Sequence, residues 1–208
     1  MHDDKRGISF LEDQMTDKEL IRKIAERDQN AFRDLYELFQ SKVFNTCLSY
    51  LQHVEDAEEA VQDVFMEVFG SAHEFRFDAS VSTWIYRLTV NKCLDRIRHR
   101  KRQKRFAFIS SLFNSETGNP DFDLPDFNHP GILLENKEKA AILFKAINRL
   151  PENQKSAFIL KQVEGLSQKE ISEIMKTGEK AVESLIQRAK ANLRKILSDY
   201  YDQTEGLK

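Results

Sequence analysis

The sequence predicts an all-α protein of two small helical domains joined by a flexible linker, the second domain being a helix-turn-helix. Glycine and proline are scarce, with seven and four among 208 residues, which favours helices over a many-turned β protein. Apolar residues recur at intervals of three and four along most of the chain, as they do on one face of a helix. Three of the four prolines fall at positions 120, 125 and 130, where they interrupt the helical pattern.

The helices of the first half are predicted from their starts. Thr16 to Glu19 has the form of a capping box, and Asp28 can cap a longer helix that ends near Leu51. A third helix covers residues 56–69. After a short loop, a fourth runs from about Val81 to Lys104.

The second half is also helical. Helical patterns follow the linker at 134–149, 152–163, 168–175 and from Glu179 to about Tyr200. Ser167 and Glu170 form another capping box before the third of these, and Gly178 makes a tight turn after it. Two helices around such a turn fit a helix-turn-helix. The predicted domains are therefore 1–105 and 134–208, with an acidic-aromatic, proline-containing linker at 106–133.

Composition argues against several classes of protein. The net charge is only −2, so an overall basic character cannot be the argument for nucleic acid. Cys47 and Cys93 lack metal-type spacing and sit in apolar helical patterns, as core thiols do. The five histidines are scattered, and a glycine-rich phosphate loop is missing, so we expect no catalysis, metal or cofactor. No stretch approaches ~18 consecutive apolar residues and no signal peptide is recognisable, so we expect a cytoplasmic protein without membrane insertion.

The segment DAEEAVQDVFMEVF, residues 56–69, predicts a helix with two unlike sides. At ~100° per residue, one side is apolar and the other carries a row of carboxylates with almost no lysine or arginine within the helix to balance it. The row consists of Asp56, Glu59, Asp63 and Glu67. Taken alone, such a face is more often a solvated surface than a binding site.

The segment RIRHRKRQKR, residues 96–105, is the electrostatic opposite of that helix. Seven cations without an acid among them favour nucleic-acid phosphates over a merely solvated helix end. Upstream, Trp84, Asn91 and Arg98 share one helical stripe, and the preceding loop offers Phe75 and Arg76, together with Phe77. Aromatic and arginine side chains of this kind suit unstacked bases, and the Asn91 amide can read a base edge.

The helix-turn-helix has its own candidate surface. The start of its second helix is where such helices meet base edges and phosphates. The outward residues at that start are Lys180, Glu183, Ser184, Gln187 and Arg188, and Lys190, Arg194 and Lys195 follow as candidate phosphate contacts. Glu183 is repelled by phosphates but can accept a hydrogen bond from a cytosine amine. A helical hairpin without a DNA role is the alternative.

Taken in order, three segments closely resemble the extracytoplasmic-function sigma factors of bacterial RNA polymerase. They are DAEEAVQDVFMEVF, FRFDASVSTWIYRLTVNKCLDRIRHRKR and LPENQKSAFILKQVEGLSQKEISEIMKTGEKAVESLIQRAKANLRK. The resemblance covers residues 16–104 and 134–197, nearly everything except the linker and the chain ends.

The resemblance implies a role for each surface. The helix at 56–69 would dock on the clamp helices of the polymerase's largest subunit through Asp56, Glu59, Gln62, Asp63 and Glu67. Another set would melt the minus-ten promoter element and capture a flipped base: Phe75, Arg76, Trp84, Arg87, Asn91, Arg98 and Arg102. The helix-turn-helix would read the minus-thirty-five element. The expected partners are core RNA polymerase and promoter DNA, together with an anti-sigma factor, because members of this family are often held inactive by one.

The sequence departs from the family pattern at four positions. Phe77 and Lys176 stand where glycine is common, and Glu183 and Leu185 replace basic residues of many members. The last two affect the expected base preference at the minus-thirty-five element. For the linker, the family implies a path through the polymerase cleft, where Asp121, Asp123 and Asp126 would mimic nucleic-acid charge.

The expected function is a sigma factor that binds core polymerase, recognises a two-part promoter and helps to melt it. One alternative is a stand-alone helix-turn-helix regulator that does not act through core polymerase. Another is a protein-interaction adaptor whose working surface is the acidic helix. Loss of core binding by an Asp63→Lys variant would favour the sigma factor over the stand-alone regulator.

Overall fold

The computed structural model describes residues 16–113 and 137–205, and every regular element within these two stretches is helical. The four helices of the N-terminal unit are α1 Asp17–Ala25, α2 Gln29–Leu51, α3 Val54–Ser71 and α4 Val81–Phe113. A 3₁₀ turn, Ala72–Glu74, follows α3. The C-terminal unit contains α5 Lys137–Asn148, α6 Glu152–Gln162, α7 Gln168–Met175 and α8 Glu179–Glu205. The all-α prediction is confirmed.

The predicted helix starts are formed by the expected side chains. The Thr16 hydroxyl accepts a hydrogen bond from the Glu19 amide, and the Glu19 carboxylate accepts one from the Thr16 amide. Ser167 and Glu170 make the same reciprocal pair at the start of α7. Asp28 accepts hydrogen bonds from the first amides of α2. Each cap satisfies amides that the helix itself leaves without partners.

The N-terminal unit is built around the apolar side of α3. Six of its side chains are buried there against α2 and α4: Ala57, Ala60, Val61, Val64, Phe65 and Val68. Cys47 and Cys93 are also fully buried in this core, as predicted for core thiols. Burial raises the pKa of the Cys93 thiol, and the neighbouring Cys47 raises it further.

The C-terminal unit closes a second core beneath its helix-turn-helix. Helix α8 packs against α6 and α7 and buries one stripe of side chains: Val182, Ile186, Ala189 and Leu193. Ile171 and Ile174 of α7 are buried in the same core. The first predicted helix of this unit, 134–149, begins at Lys137 within the described residues.

Two helices are longer than the sequence patterns predicted. Helix α4 continues nine residues beyond Lys104 to Phe113, and α8 reaches Glu205 instead of Tyr200. No proline or glycine stands between Lys104 and Phe113, so the backbone can continue its hydrogen bonding where we had expected the linker. The acidic linker residues Asp121, Asp123 and Asp126 lie outside the described residues.

Two of the departures from the family pattern have a backbone explanation. Phe77 has φ 60° and Lys176, the C-cap of α7, has φ 50°. This left-handed region costs an L-residue roughly 1–2 kcal/mol, whereas glycine enters it freely. Both side chains are therefore held at positions whose backbone favours glycine.

Candidate nucleic-acid and protein interfaces

The acidic face of α3 is balanced by basic side chains from α4. Arg96 Nη2 lies 2.5 Å from Asp63 Oδ2, and Arg96 Nη1 lies 2.9 Å from Glu59 Oε2. Lys92 Nζ lies 3.0 Å from Glu67 Oε2, and Arg100 pairs with Asp56. The three basic residues recur every four positions, so they form one stripe that faces the carboxylate row.

These ion pairs divide the predicted protein-binding residues into two groups. Asp56 is the most enclosed carboxylate, with 23 % of its side chain exposed, whereas 68 % of Glu59 is exposed. Gln62 is also exposed. All four carboxylates are paired, but Glu59 and Glu67 remain exposed, as Gln62 is, whereas Asp56 and Asp63 are half-buried. From the sequence we predicted the row of carboxylates but not the basic residues that pair with it. The spacing of Lys92, Arg96 and Arg100, which places them on one side of α4, was the signal for that pairing.

The loop before α4 and the start of α4 bring four predicted residues around one cavity. The rings of Phe75 and Trp84 are stacked, with centroids 4.7 Å apart and planes 26° apart. A cavity of about 320 Å³ beside them is also lined by Arg76 and Arg87. Ser80 positions Trp84 by capping α4, since its hydroxyl accepts a hydrogen bond from the Thr83 amide. Glu67, Glu74 and Asp78 also line the cavity. The site thus combines aromatic surface, which suits an unstacked base, with two guanidinium groups that can hold its phosphate and three carboxylates that repel phosphates elsewhere.

Asn91 and Arg98 lie farther along α4 and do not line this cavity. Asn91 is exposed, and Arg98 is engaged by the C-terminal unit. Trp84, Asn91 and Arg98 lie on one stripe of α4, as predicted, but they are too far apart along the helix to line one cavity.

The C-terminal unit covers part of that stripe. Arg87 Nη2 donates a hydrogen bond of 2.7 Å to the carbonyl of Glu173 in α7, and Arg98 donates two, of 2.9 and 3.1 Å, to the Glu152 carboxylate in α6. Tyr86 donates to Glu164 at 3.2 Å. We call this contact between α2 and α4 on one side and α5–α7 on the other the interdomain seam. Two predicted DNA-binding arginines are therefore occupied within the protein.

Lys155 is a charged residue buried in the seam, with only 4 % of its surface exposed. Its Nζ donates to the carbonyl of Tyr50 at 2.8 Å and to the amide oxygen of Asn148. Burial lowers the pKa of Lys155 to about 8. Nearby, burial raises the pKa of Glu164, whose Oε1 has no hydrogen-bond partner among the described atoms. The seam thus encloses two ionisable groups at an electrostatic cost.

The basic run of α4 is divided among three environments. Arg96 and Arg100 face α3, and Arg98 faces Glu152. The remainder is exposed and makes no ion pair with any residue in the described stretches: Lys101, Arg102, Lys104 and Arg105. Within the basic run, these four are available to an external anion without breaking a contact to another described residue.

The candidate surface of α8 is open to solvent. Five of its predicted residues are exposed and the other two are half-buried; in order they are Lys180, Glu183, Ser184, Gln187, Arg188, Lys190 and Arg194. Helix α7, rather than this surface, makes the main helix-turn-helix contact with α4. The two candidate DNA surfaces therefore differ, because one is partly covered and the other is not.

Within the described parts of the chain, no three histidine, cysteine or acidic side chains are placed to hold a metal ion. In the same residues, no helix has the length and apolar character needed to cross a membrane.

Comparison with family models gives two matches that follow the two units. The model described as Sigma-70 region 2 matches residues 35–103, and the model described as Sigma-70, region 4 matches residues 140–193. The first match contains α3 and most of α4, and the second contains the helix-turn-helix.

Curated relatives match over nearly their whole length. The chain is 30 % identical over 182 residues to the ECF RNA polymerase sigma-E factor of Escherichia coli, covering 86 % of this chain and 93 % of that protein. It is 29 % identical over 190 residues to the ECF RNA polymerase sigma factor SigW of Bacillus subtilis, covering 89 % and 99 %.

Two solved structures share the fold. One is CnrH in complex with the cytosolic domain of CnrY, with a TM-score of 0.61, 22 % identity and coverage of 88 % of this chain and 97 % of that one. The other is the sigma factor RpoE in complex with the anti-sigma factor NepR from Bartonella quintana, with a TM-score of 0.58, 19 % identity and coverage of 80 % and 96 %.

Proposed function

This chain belongs to the extracytoplasmic-function sigma factors, and from that membership we propose which of its surfaces carry each step of transcription initiation. As a member of that family it directs DNA-templated transcription from specific promoters together with core RNA polymerase. We propose further that it acts in the cytoplasm without catalysis of its own, since the polymerase performs the chemistry.

The acidic face of α3 is the proposed polymerase-binding surface. Gln62 is exposed and carries no charge, and Glu59, Asp63 and Glu67 contribute by sharing their carboxylates between α4 and the partner. A basic partner surface would be oriented by this face, because charge complementarity governs encounter and register more than affinity.

The cavity beside Phe75 and Trp84 is the proposed site for a base of the minus-ten element. A base leaving the duplex loses stacking, and an aromatic side chain restores ~1–3 kcal/mol of it. Arg76 and Arg87 stand where they can hold the adjoining phosphates. The convergence of these four side chains on one cavity is the observation that carries the proposal. We propose that Asn91, Arg98 and Arg102 extend the same DNA path along α4.

The start of α8 is the proposed reader of the minus-thirty-five element. Lys180, Arg188 and Arg194 supply cations for phosphates, and Ser184 and Gln187 supply hydrogen bonds for base edges. Lys190 adds a further phosphate contact. Glu183 restricts the choice of base, since a carboxylate can only accept a hydrogen bond there.

Full promoter binding requires the interdomain seam to open. Arg87 and Arg98 cannot serve DNA while they serve Glu173 and Glu152. A seam of this kind is a natural point for control by an anti-sigma factor, which we include among the proposed partners. Opening on the polymerase would also set the two DNA surfaces at the promoter spacing, where tethering raises their effective concentration.

The test is in vitro transcription with purified core polymerase on genomic fragments, with and without this protein. We expect new transcripts that share two upstream elements, and permanganate-reactive thymines near the minus-ten element. Trp84→Ala should abolish the permanganate signal while core binding stays intact. Tyr36→Ala, which removes an aromatic ring that does not line the cavity, is the matched control. Permanganate reactivity equal to wild type in the Trp84→Ala variant would contradict the assignment of the cavity.

The same experiment separates the stand-alone regulator. Specific promoter binding without polymerase, together with no new transcripts in its presence, would favour that alternative. Core binding without promoter selectivity would favour the adaptor.

A further inference from the structure

We propose that the interdomain seam contains a binding site for a small anion, a phosphate or pyrophosphate group that is either free or the end of a nucleotide. The site is a cavity of about 220 Å³ where the end of α2 and the basic run of α4 meet the corner between α5 and α6. It is separate from the cavity beside Trp84, with which it shares no lining residue.

The floor of this cavity is apolar and its walls are basic. Leu51, Leu94, Ile97 and Leu150 contribute the apolar surface, together with the ring of Tyr50. Five cations line the cavity: Arg96, Arg100, Lys101, Lys104 and Lys155. Glu152 is the single acidic residue among the lining side chains.

The charges of this lining are not balanced within the described residues. Arg96 and Arg100 already pair with carboxylates of α3, and Glu152 already pairs with Arg98. The remaining cations have no carboxylate partner in the described stretches: Lys101, Lys104 and Lys155. The Lys155 ammonium donates to two neutral oxygens and lies 5.5 Å from the centroid of the Tyr50 ring. Burial lowers its pKa most, the charge of Lys101 lowers it further, and Glu152, which is already paired with Arg98, acts in the opposite direction. A buried cation is stable when a counter-charge accompanies it, and this cavity leaves room for one.

The size and the side chains select the class of ligand. Pockets for drug-sized ligands span ~300–1,000 Å³, so this smaller cavity suits one or two phosphate groups rather than a whole cofactor. Lysines bind phosphate as point charges, and an anion of charge −2 or more matches several of them at once. The apolar floor would lie against the uncharged part of a nucleotide if the phosphate were its end group.

Occupation of the site would hold the seam closed. Lys101 and Lys104 belong to the N-terminal unit and Lys155 to the C-terminal unit, so one anion would bridge the two. A ligand that binds only the closed form multiplies the ratio of closed to open protein by 1 + L/Kd, where L is its free concentration and Kd its dissociation constant. The proposal does not depend on the promoter-binding assignments, because it concerns the free protein.

The experiment is calorimetric titration of the full chain, without polymerase, with inorganic pyrophosphate and then with ADP. Chloride replaces the anion at equal ionic strength as the reference. Lys101→Gln/Lys104→Gln is the test variant, since both side chains are exposed and lack partners among the described residues. Lys18→Gln/Lys145→Gln removes the same charge from exposed lysines outside the cavity and serves as control.

We expect saturable binding of one anion per chain, weakened about tenfold for each lost lysine and unchanged in the control. A tighter site for ADP than for pyrophosphate would identify a nucleotide as the source, and equal affinities would identify the free anion. Absence of saturable binding, or an equal loss in test and control variants, would overturn the proposal. Failure of transcription with pyrophosphate binding intact would overturn only the proposed function.

Discussion

Exchanging the charges of Asp63 and Arg96 separates two roles that the acidic face of α3 serves. Asp63→Arg places two cations side by side, and Arg96→Asp gathers three carboxylates. The double variant restores an internal ion pair but presents the opposite charge at position 63. We expect both single variants to be destabilised, and the double variant to recover stability without recovering core binding.

The magnitude follows from the geometry and the exposure. Arg96 contacts Asp63 Oδ2 through Nη2 at 2.5 Å and through Nε at 3.2 Å, a two-pronged contact. The side chains are 29 % and 45 % exposed, so solvent screens the pair. Partly exposed pairs contribute up to ~1 kcal/mol, and like charges cost a similar amount. Each single variant should therefore lose ~2 kcal/mol of unfolding free energy, and Arg96→Asp slightly more because Glu59 also loses its partner.

The assays are urea unfolding for stability and titration of fluorescent protein with core polymerase for binding. The double variant should regain most of the unfolding free energy, because contacting residues are not additive. Core affinity should stay at least tenfold below wild type, which corresponds to ~1.4 kcal/mol. Recovery of both quantities would refute a direct role for Asp63 in polymerase binding. Unchanged stability in all three variants would refute the ion pair.

Three further predictions concern other parts of the chain. Burial lowers the pKa of Lys155 from 10.5 to about 8, so the closed form binds fewer protons than the open form. Closure should therefore strengthen as pH rises above 8, by up to tenfold per pH unit, until pH approaches 10, where ionisation of Tyr86 begins to favour the open form because burial raises the pKa of Tyr86. Fluorescence transfer across the seam should show this rise in wild type, and the rise should be lost in Lys155→Met. Lys176→Gly should raise the unfolding free energy by up to ~1 kcal/mol, because glycine adopts the left-handed backbone of this C-cap without strain. Lys195→Gly, inside α8, should lower the unfolding free energy by ~1 kcal/mol. Chemical denaturation of the two variants tests these opposite signs. Glu183→Gln should strengthen binding to duplex DNA several-fold at low salt and weaken the preference for one base at the position that Glu183 contacts. Fluorescence anisotropy on a panel of duplexes measures both effects. Unchanged affinity at every salt concentration would place Glu183 away from the phosphates.

Much of the fold was predictable because its signals are local. The capping boxes at Thr16 and Ser167 and the apolar spacing of α3 depend on residues within one or two turns of each other. The end of α4 was predicted too early, at Lys104, although the absence of proline and glycine up to Phe113 is a local signal that permits the longer helix. Phe75, Arg76 and Trp84, which line the cavity before α4, were predicted from the residues themselves. Arg87 was predicted only through the family resemblance.

The sequence by itself determined the helical class, the three segments that resemble the family and the identities of the charged surfaces, because composition and short-range spacing carry that information. Only the tertiary structure decided which charges remain available. Lys92, Arg96 and Arg100 cancel the row on α3, and Arg87 and Arg98 are held across the seam. These partners lie 25 to 86 residues apart in the chain. Electrostatic compensation depends on distance in space, which no local pattern records.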